Sequence, residues 1–77
     1  MIKVYGTESC GDCKLAKRVL AEAGLSYEWI DIDSQPDAAA MVQQLNGGMK
    51  SVPTILFPDG RVMVEPTRQE LTAALAV

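Results

Sequence analysis

Seventy-seven residues, 48% of them apolar, suffice for a single small domain spanning 1–77 and are too apolar for a disordered chain. The net charge is −3 and the basic residues are scattered, apart from Lys14, Lys17 and Arg18. That leaves no basic stripe for nucleic acid, and no apolar run approaches the length a bilayer requires. Histidine is absent, which removes a His-based triad, a His general base and every His-ligated metal site.

Ile2 to Tyr5 reads as a short buried strand and Gly6-Thr7-Glu8-Ser9 as the loop leaving it, with Tyr5 divided between core and groove. From Gly11 to Ala23 the pattern turns helical: Leu15, Val19, Leu20 and Ala23 share a face at period 3.6, and Gly24 stops the helix. Tyr27 to Ile32 predicts a second strand. Tyr27, Trp29 and Asp31 lie on one side of it, Glu28, Ile30 and Ile32 on the other, and the aromatics are read as sheet-face packing. Ser34 is the expected cap of a second helix, with Pro36 in its first turn and Asp37 complementing its dipole. Ala38, Met41, Val42 and Leu45 give that helix its apolar stripe, and Asn46-Gly47-Gly48 ends it. Met41, Met49 and Met63 are expected to fill gaps in a small core, and Lys50 to sit in a solvated loop.

Val52 to Phe57 predicts a strand interrupted only at Pro53. Pro58-Asp59-Gly60 is a turn that returns the chain as a strand over Arg61 to Val64. Thr67-Arg68-Gln69-Glu70 is a capping box, and Leu71 and Leu75 anchor a final helix. The order β-α-β-α-β-β-α predicts an α/β fold. Its first β-α-β is a right-handed crossover, its closing β-β an antiparallel hairpin, and its helices cover both faces of a mixed four-stranded sheet.

The two cysteines stand three apart in Cys10-Gly11-Asp12-Cys13, between the first strand and the first helix. Ligands bind at that end of the strands in open α/β sheets. A helix N-terminus offers unpaired N–H groups and partial positive charge, both of which favour a thiolate over a thiol. Cys10 stands at the exposed lip, positioned to attack a disulfide. Cys13 lies one turn inside on the same face, positioned to resolve the mixed disulfide that forms. A bridge over so short a loop constrains little of the unfolded chain, so the pair suits redox exchange better than stability. The competing use of such a pair is a metal site, but two thiolates without histidine fall short of the four ligands zinc takes. A metal would need a dimer or added thiols.

The run Thr7-Glu8-Ser9-Cys10-Gly11-Asp12-Cys13 after a strand, with Ser51-Val52-Pro53-Thr54 before a hairpin, resembles a glutaredoxin-type thioredoxin fold. The stretch Leu45-Asn46-Gly47-Gly48-Met49-Lys50-Ser51-Val52-Pro53-Thr54, followed by Phe57, Asp59-Gly60 and Pro66, is similar to the mycoredoxins, actinobacterial relatives that use mycothiol. The resemblance implies a cis Pro53 facing the cysteine pair, with the Val52 N–H and C=O pairing to an extended substrate backbone. It implies Cys10 and Cys13 as catalytic residues and Gly11, Asp12, Ser51, Val52, Pro53 and Thr67 as substrate-binding ones, with no metal. Glutathione-binding members commonly carry a lysine before the first cysteine and Gly-Gly after the fourth strand. Here Glu8 and Val64-Glu65-Pro66-Thr67 stand in those places. Asp12 replaces an aromatic residue common in the family.

The expected function is therefore reduction of mixed disulfides between proteins and a low-molecular-weight thiol, mycothiol or else glutathione, with no bound cofactor. The expected partners are disulfide-bearing proteins, the small thiol and a flavoprotein disulfide reductase, with neither nucleic acid nor membrane involved. One alternative is a redoxin recharged by thioredoxin reductase that supplies electrons to ribonucleotide reductase. The alternative from another class is a non-enzymatic thiol module sharing a metal cluster. Met1-Ile2-Lys3-Val4-Tyr5 enters a strand with no apolar leader, so the expected setting is the cytoplasm and the expected state a monomer.

Overall fold

Ile2, Val4 and Tyr5 are apolar while Lys3 is charged, which gives one segment side chains for both faces of a sheet. It forms β1 (Ile2–Gly6), in which Lys3 alone is exposed. The chain continues through α1 (Gly11–Glu22), β2 (Tyr27–Asp31), α2 (Pro36–Leu45), β3 (Thr54–Leu56), β4 (Val62–Val64) and α3 (Arg68–Leu75). This computed structural model describes residues 1–75; positions 76 and 77 of the expected domain lie outside the described residues.

The strands form one sheet in the order β2-β1-β3-β4, with β1 parallel to β2 and antiparallel to β3, and β3 antiparallel to β4. Side chains alternate across it. On one face Ile2, Val4 and Ile55 pack with Ala16, Val19, Leu20, Phe57 and Leu71, joined by Tyr27, Trp29, Met63 and Leu75. On the other, Tyr5, Ile30 and Ile32 pack with Ala38 and Val42. α1 and α3 thus cover one face and α2 the other. Val4, Leu20, Val42 and Ile55 have no exposed surface, each worth roughly 1.5–3 kcal/mol of apolar burial. Tyr5 belongs to the core.

Several local expectations give way to packing. The buried stripe of α1 runs through Cys13, Ala16, Val19 and Leu20, while Ala23 is exposed. Ala23 is the C-cap, past the last helical turn, and the sheet-facing stripe takes in Cys13 at the other end instead. Gly24 at φ 73° closes α1, with its N–H on Ala21 C=O and that of Leu25 on Leu20 C=O. Ser34 does not cap α2. Its hydroxyl donates to Asp31 C=O, and Gln35 takes the cap position with no side-chain bond. Met41 and Met49 are exposed, so of the three methionines read as core only Met63 packs there. The capping box holds: Glu70 N–H donates to Thr67 Oγ1 at 3.1 Å, and Thr67 N–H to Glu70 Oε1 at 2.9 Å.

The register sets up the site. Since β1 and β2 are parallel, α1 and α2 begin at the same end of the sheet. Since β3 runs antiparallel to β1 with Thr54 opposite Tyr5, the loop entering β3 arrives beside the loop leaving β1.

Candidate functional site

Cys10 is the N-cap of α1. Its sulfur accepts the Cys13 N–H at 3.1 Å, the role usually taken by a serine or aspartate oxygen. Lys14 N–H donates to Cys10 C=O at 3.2 Å and opens the helix. The α1 dipole puts its partial positive end at this cap. The Gly11 and Asp12 amides precede any intrahelical acceptor, and both residues are exposed. Across the gap, the half-buried Cys10 thiol points at the Val52 carbonyl, 3.9 Å away.

Val52 belongs to the loop that precedes β3, and the Val52–Pro53 peptide is cis. Pro53 is buried and its carbonyl accepts the Glu65 N–H at 2.9 Å, so the loop is tied to the chain beyond β4. Below it lies a polar tie that sequence reasoning missed. Thr54 is fully buried, donates from Oγ1 to Ser51 C=O at 2.7 Å and accepts from Asn46 Nδ2 at 2.9 Å. The C-cap residue of α2 therefore holds Ser51 from beneath.

Cys13 has no exposed surface. Burial, aided by a hydrogen bond with the Cys10 side chain, pushes its thiol up to about 12; the Thr7 backbone amide and the Lys17 ammonium act in the opposite sense. The two thiols are thus unlike, one half-exposed on a helix cap and the other held neutral inside. Gly6, read from sequence as the first loop residue, is the reason the second fits. A Cβ there would lie 2.5 Å from Cys13 Sγ and 2.6 Å from Cη2 of Trp29. A glycine ending a buried strand just ahead of a cysteine pair was the available signal.

Of the residues expected at the site, Cys10, Gly11, Asp12 and Cys13, at the cap and first turn of α1, face Ser51, Val52 and Pro53 of the loop before β3. Thr67 is engaged in the α3 capping box, its hydroxyl and N–H both used there. A shallow cleft of about 370 Å³ lies between α1 and α3, lined by Val19, Glu22 and Leu75 among others, at the opposite end of α1 from the cysteines. No described helix is long and apolar enough to cross a membrane.

Residues 2–63 match the glutaredoxin family model. A glutaredoxin-named protein of Mycobacterium tuberculosis (strain H37Rv) is 35% identical over 74 residues, covering 96% of this chain and 88% of that one. Mycoredoxin 1 of Corynebacterium glutamicum is 30% identical over 74 residues, covering 96% and 91%. The crystal structure of the thioredoxin-like protein BC3987 superposes with a TM-score of 0.83 at 25% identity, over 99% of this chain and 100% of that one.

Proposed function

We propose, from the premise that this chain belongs to the glutaredoxin family and is a thiol–disulfide oxidoreductase, that it reduces mixed disulfides between proteins and a small thiol, with mycothiol as that thiol. The observation that carries this reading is the asymmetry of the cysteines: Cys10 caps α1 beneath the Val52 carbonyl, and Cys13 is sealed below it. Cys10, as thiolate, attacks one sulfur of the substrate disulfide. The S–S bond breaks, one thiolate departs and takes a proton from water, and the other half stays on Cys10. A second small thiol then releases it, or Cys13 attacks Cys10 and closes the intramolecular disulfide. In either route the substrate gains two electrons that come from thiols.

The Gly11 and Asp12 amides and the Val52 backbone form the cradle for the incoming chain, with Ser51 and Pro53 shaping it and Thr67 at its margin. Mycothiol is favoured over glutathione by the likeness to mycoredoxin 1 and by Glu8 and Val64-Glu65-Pro66-Thr67 in the places where glutathione-binding members differ. A flavoprotein reductase would return the small thiol to its reduced form. The protein acts as a single domain in the cytoplasm.

The test is a coupled assay on one mixed-disulfide substrate, with electrons offered by mycothiol and its reductase, by glutathione and its reductase, or by thioredoxin reductase. Turnover with mycothiol alone is expected, retained in Cys13→Ser because the small thiol performs the release. Turnover through thioredoxin reductase alone would transfer the protein to the redoxins recharged by that enzyme, and silence with all three would end the redox reading.

A further inference from the structure

The second chemical step asks more of the fold than the first. Cys13 is fully buried, its thiol is pushed up to about 12, and the chain has no histidine to take its proton. Lys17 follows Cys13 by four residues on α1, the spacing that stacks two side chains on one helix face. Its ammonium is turned back onto the fold. It lies over the Trp29 ring, 3.9 Å from the centroid. The far edge of that ring presses on Gly6, where an added Cβ would meet Trp29 Cη2 at 2.6 Å, Trp29 Cζ3 at 2.9 Å and Cys13 Sγ at 2.5 Å. One niche on β1 therefore takes both the indole edge and the Cys13 sulfur, and the same ring carries the cation.

We propose that Lys17 is the positioning residue of the resolving step, seated by Trp29 beside Cys13 so that its charge meets the sulfur as it becomes a nucleophile. This rests on the two-cysteine reading above. In the step, Cys13 gives its proton to water and its sulfur attacks the Cys10 sulfur of the mixed disulfide. The bond from Cys10 to the bound thiol breaks, the electron pair leaves on that thiolate, and Cys10 and Cys13 are left oxidised as a disulfide. Cys10 is uncharged while it carries the substrate. Among the described residues, the charged group then acting on Cys13 is Lys17 of α1; Gly6 of β1, the Thr7 amide and Trp29 of β2 bring no net charge.

The experiment loads Cys10 with 5-thio-2-nitrobenzoate and times its coloured release by stopped flow across about pH 6 to 10, in the parent, Lys17→Met and Lys17→Arg. Lys17→Met should release about fivefold more slowly at neutral pH, with its rate–pH curve displaced towards alkali, and Lys17→Arg should restore the parent curve. Trp29→Leu, which unseats the ammonium but leaves it on the chain, should also slow release. Identical curves in parent and Lys17→Met, or a loss that arginine does not rescue, would overturn the inference while leaving the two-cysteine reading intact. Failure of Cys10 to take up the aryl thiol in the parent would overturn both.

Discussion

The two parallel strands end side by side, with Gly6 of β1 opposite Asp31 of β2, and each hands the chain to a helix. From there the junctions differ in almost every respect. After β1, the helix cap is a sulfur that accepts the Cys13 N–H, and a second cysteine is packed against a glycine with no room for a Cβ. After β2, Asp31 Oδ1 accepts the Asp33 N–H at 2.9 Å in an exposed turn, and Gln35 caps α2 with no side-chain bond. The difference follows from position. β1 is flanked on both sides, so its C-terminal end faces the Val52–Pro53 loop of the antiparallel neighbour, whereas β2 is an edge strand. Equivalent β-to-α turns become a cysteine-bearing junction facing a second loop and an exposed polar one according to what the sheet order brings opposite them.

The sharpest way to break this comparison is at the residues that enter the two helices, Cys10 before α1 and Ser34 in the turn before α2. Cys10→Ser should abolish disulfide reduction, a loss on the order of a thousandfold or more as for removal of an enzyme nucleophile. Ser34→Ala should leave turnover unchanged within about twofold and stability within about 0.5 kcal/mol. Comparable losses in the two variants, read in one mixed-disulfide assay and one urea titration, would erase the distinction.

Next come the strand ends. Gly6→Ala forces a methyl between Cys13 Sγ and the Trp29 ring. It should cost about 1–3 kcal/mol, read from the urea midpoint of the reduced protein. Asp31→Ala loses one exposed turn hydrogen bond and should cost less than about 1 kcal/mol. The reverse order of midpoints would mean that the niche at β1 is softer than its geometry indicates.

At neutral pH the smallest effect is that of the Cys13 proton, which grows only above about pH 9. The Cys13 thiol is pushed from 9.0 to about 12 by burial, so an unfolded chain releases this proton well before the folded one does. Between those values the unfolded state binds fewer protons, and stability must fall as pH rises. The contribution of Cys13 is complete below about pH 9 and lost progressively towards pH 12. In a Cys10→Ser background, urea midpoints should decline more steeply above about pH 9 with Cys13 present than in the additional Cys13→Ala variant. Equal slopes would show that the second thiol is open to water. No cysteine titrates at the α2 junction, so nothing there produces such a slope.

Much of this molecule was legible in the chain. The strands and helices lie close to where the period of Ile2-Lys3-Val4-Tyr5 and of the helical segments puts them. The capping box of Thr67 and Glu70 forms as its spacing requires, and the cysteine pair stands where a strand hands over to a helix. These are consequences of interactions spanning a few residues, and a few residues of sequence contain them. Misread were Ser34, Ala23, Met41 and Met49, and unseen were the niche at Gly6, the seat of Lys17 on Trp29 and the tie from Asn46 through Thr54 to Ser51. Each depends on where a helix ends, which way it is rotated or which strand lies next to which. Cys10 and Val52 are forty-two positions apart and meet only because β3 returns antiparallel to β1 with Thr54 opposite Tyr5. Local patterning determined the elements and the place of the cysteine pair. Strand order and register, set by burying both faces of one sheet at once, decided what surrounds that pair.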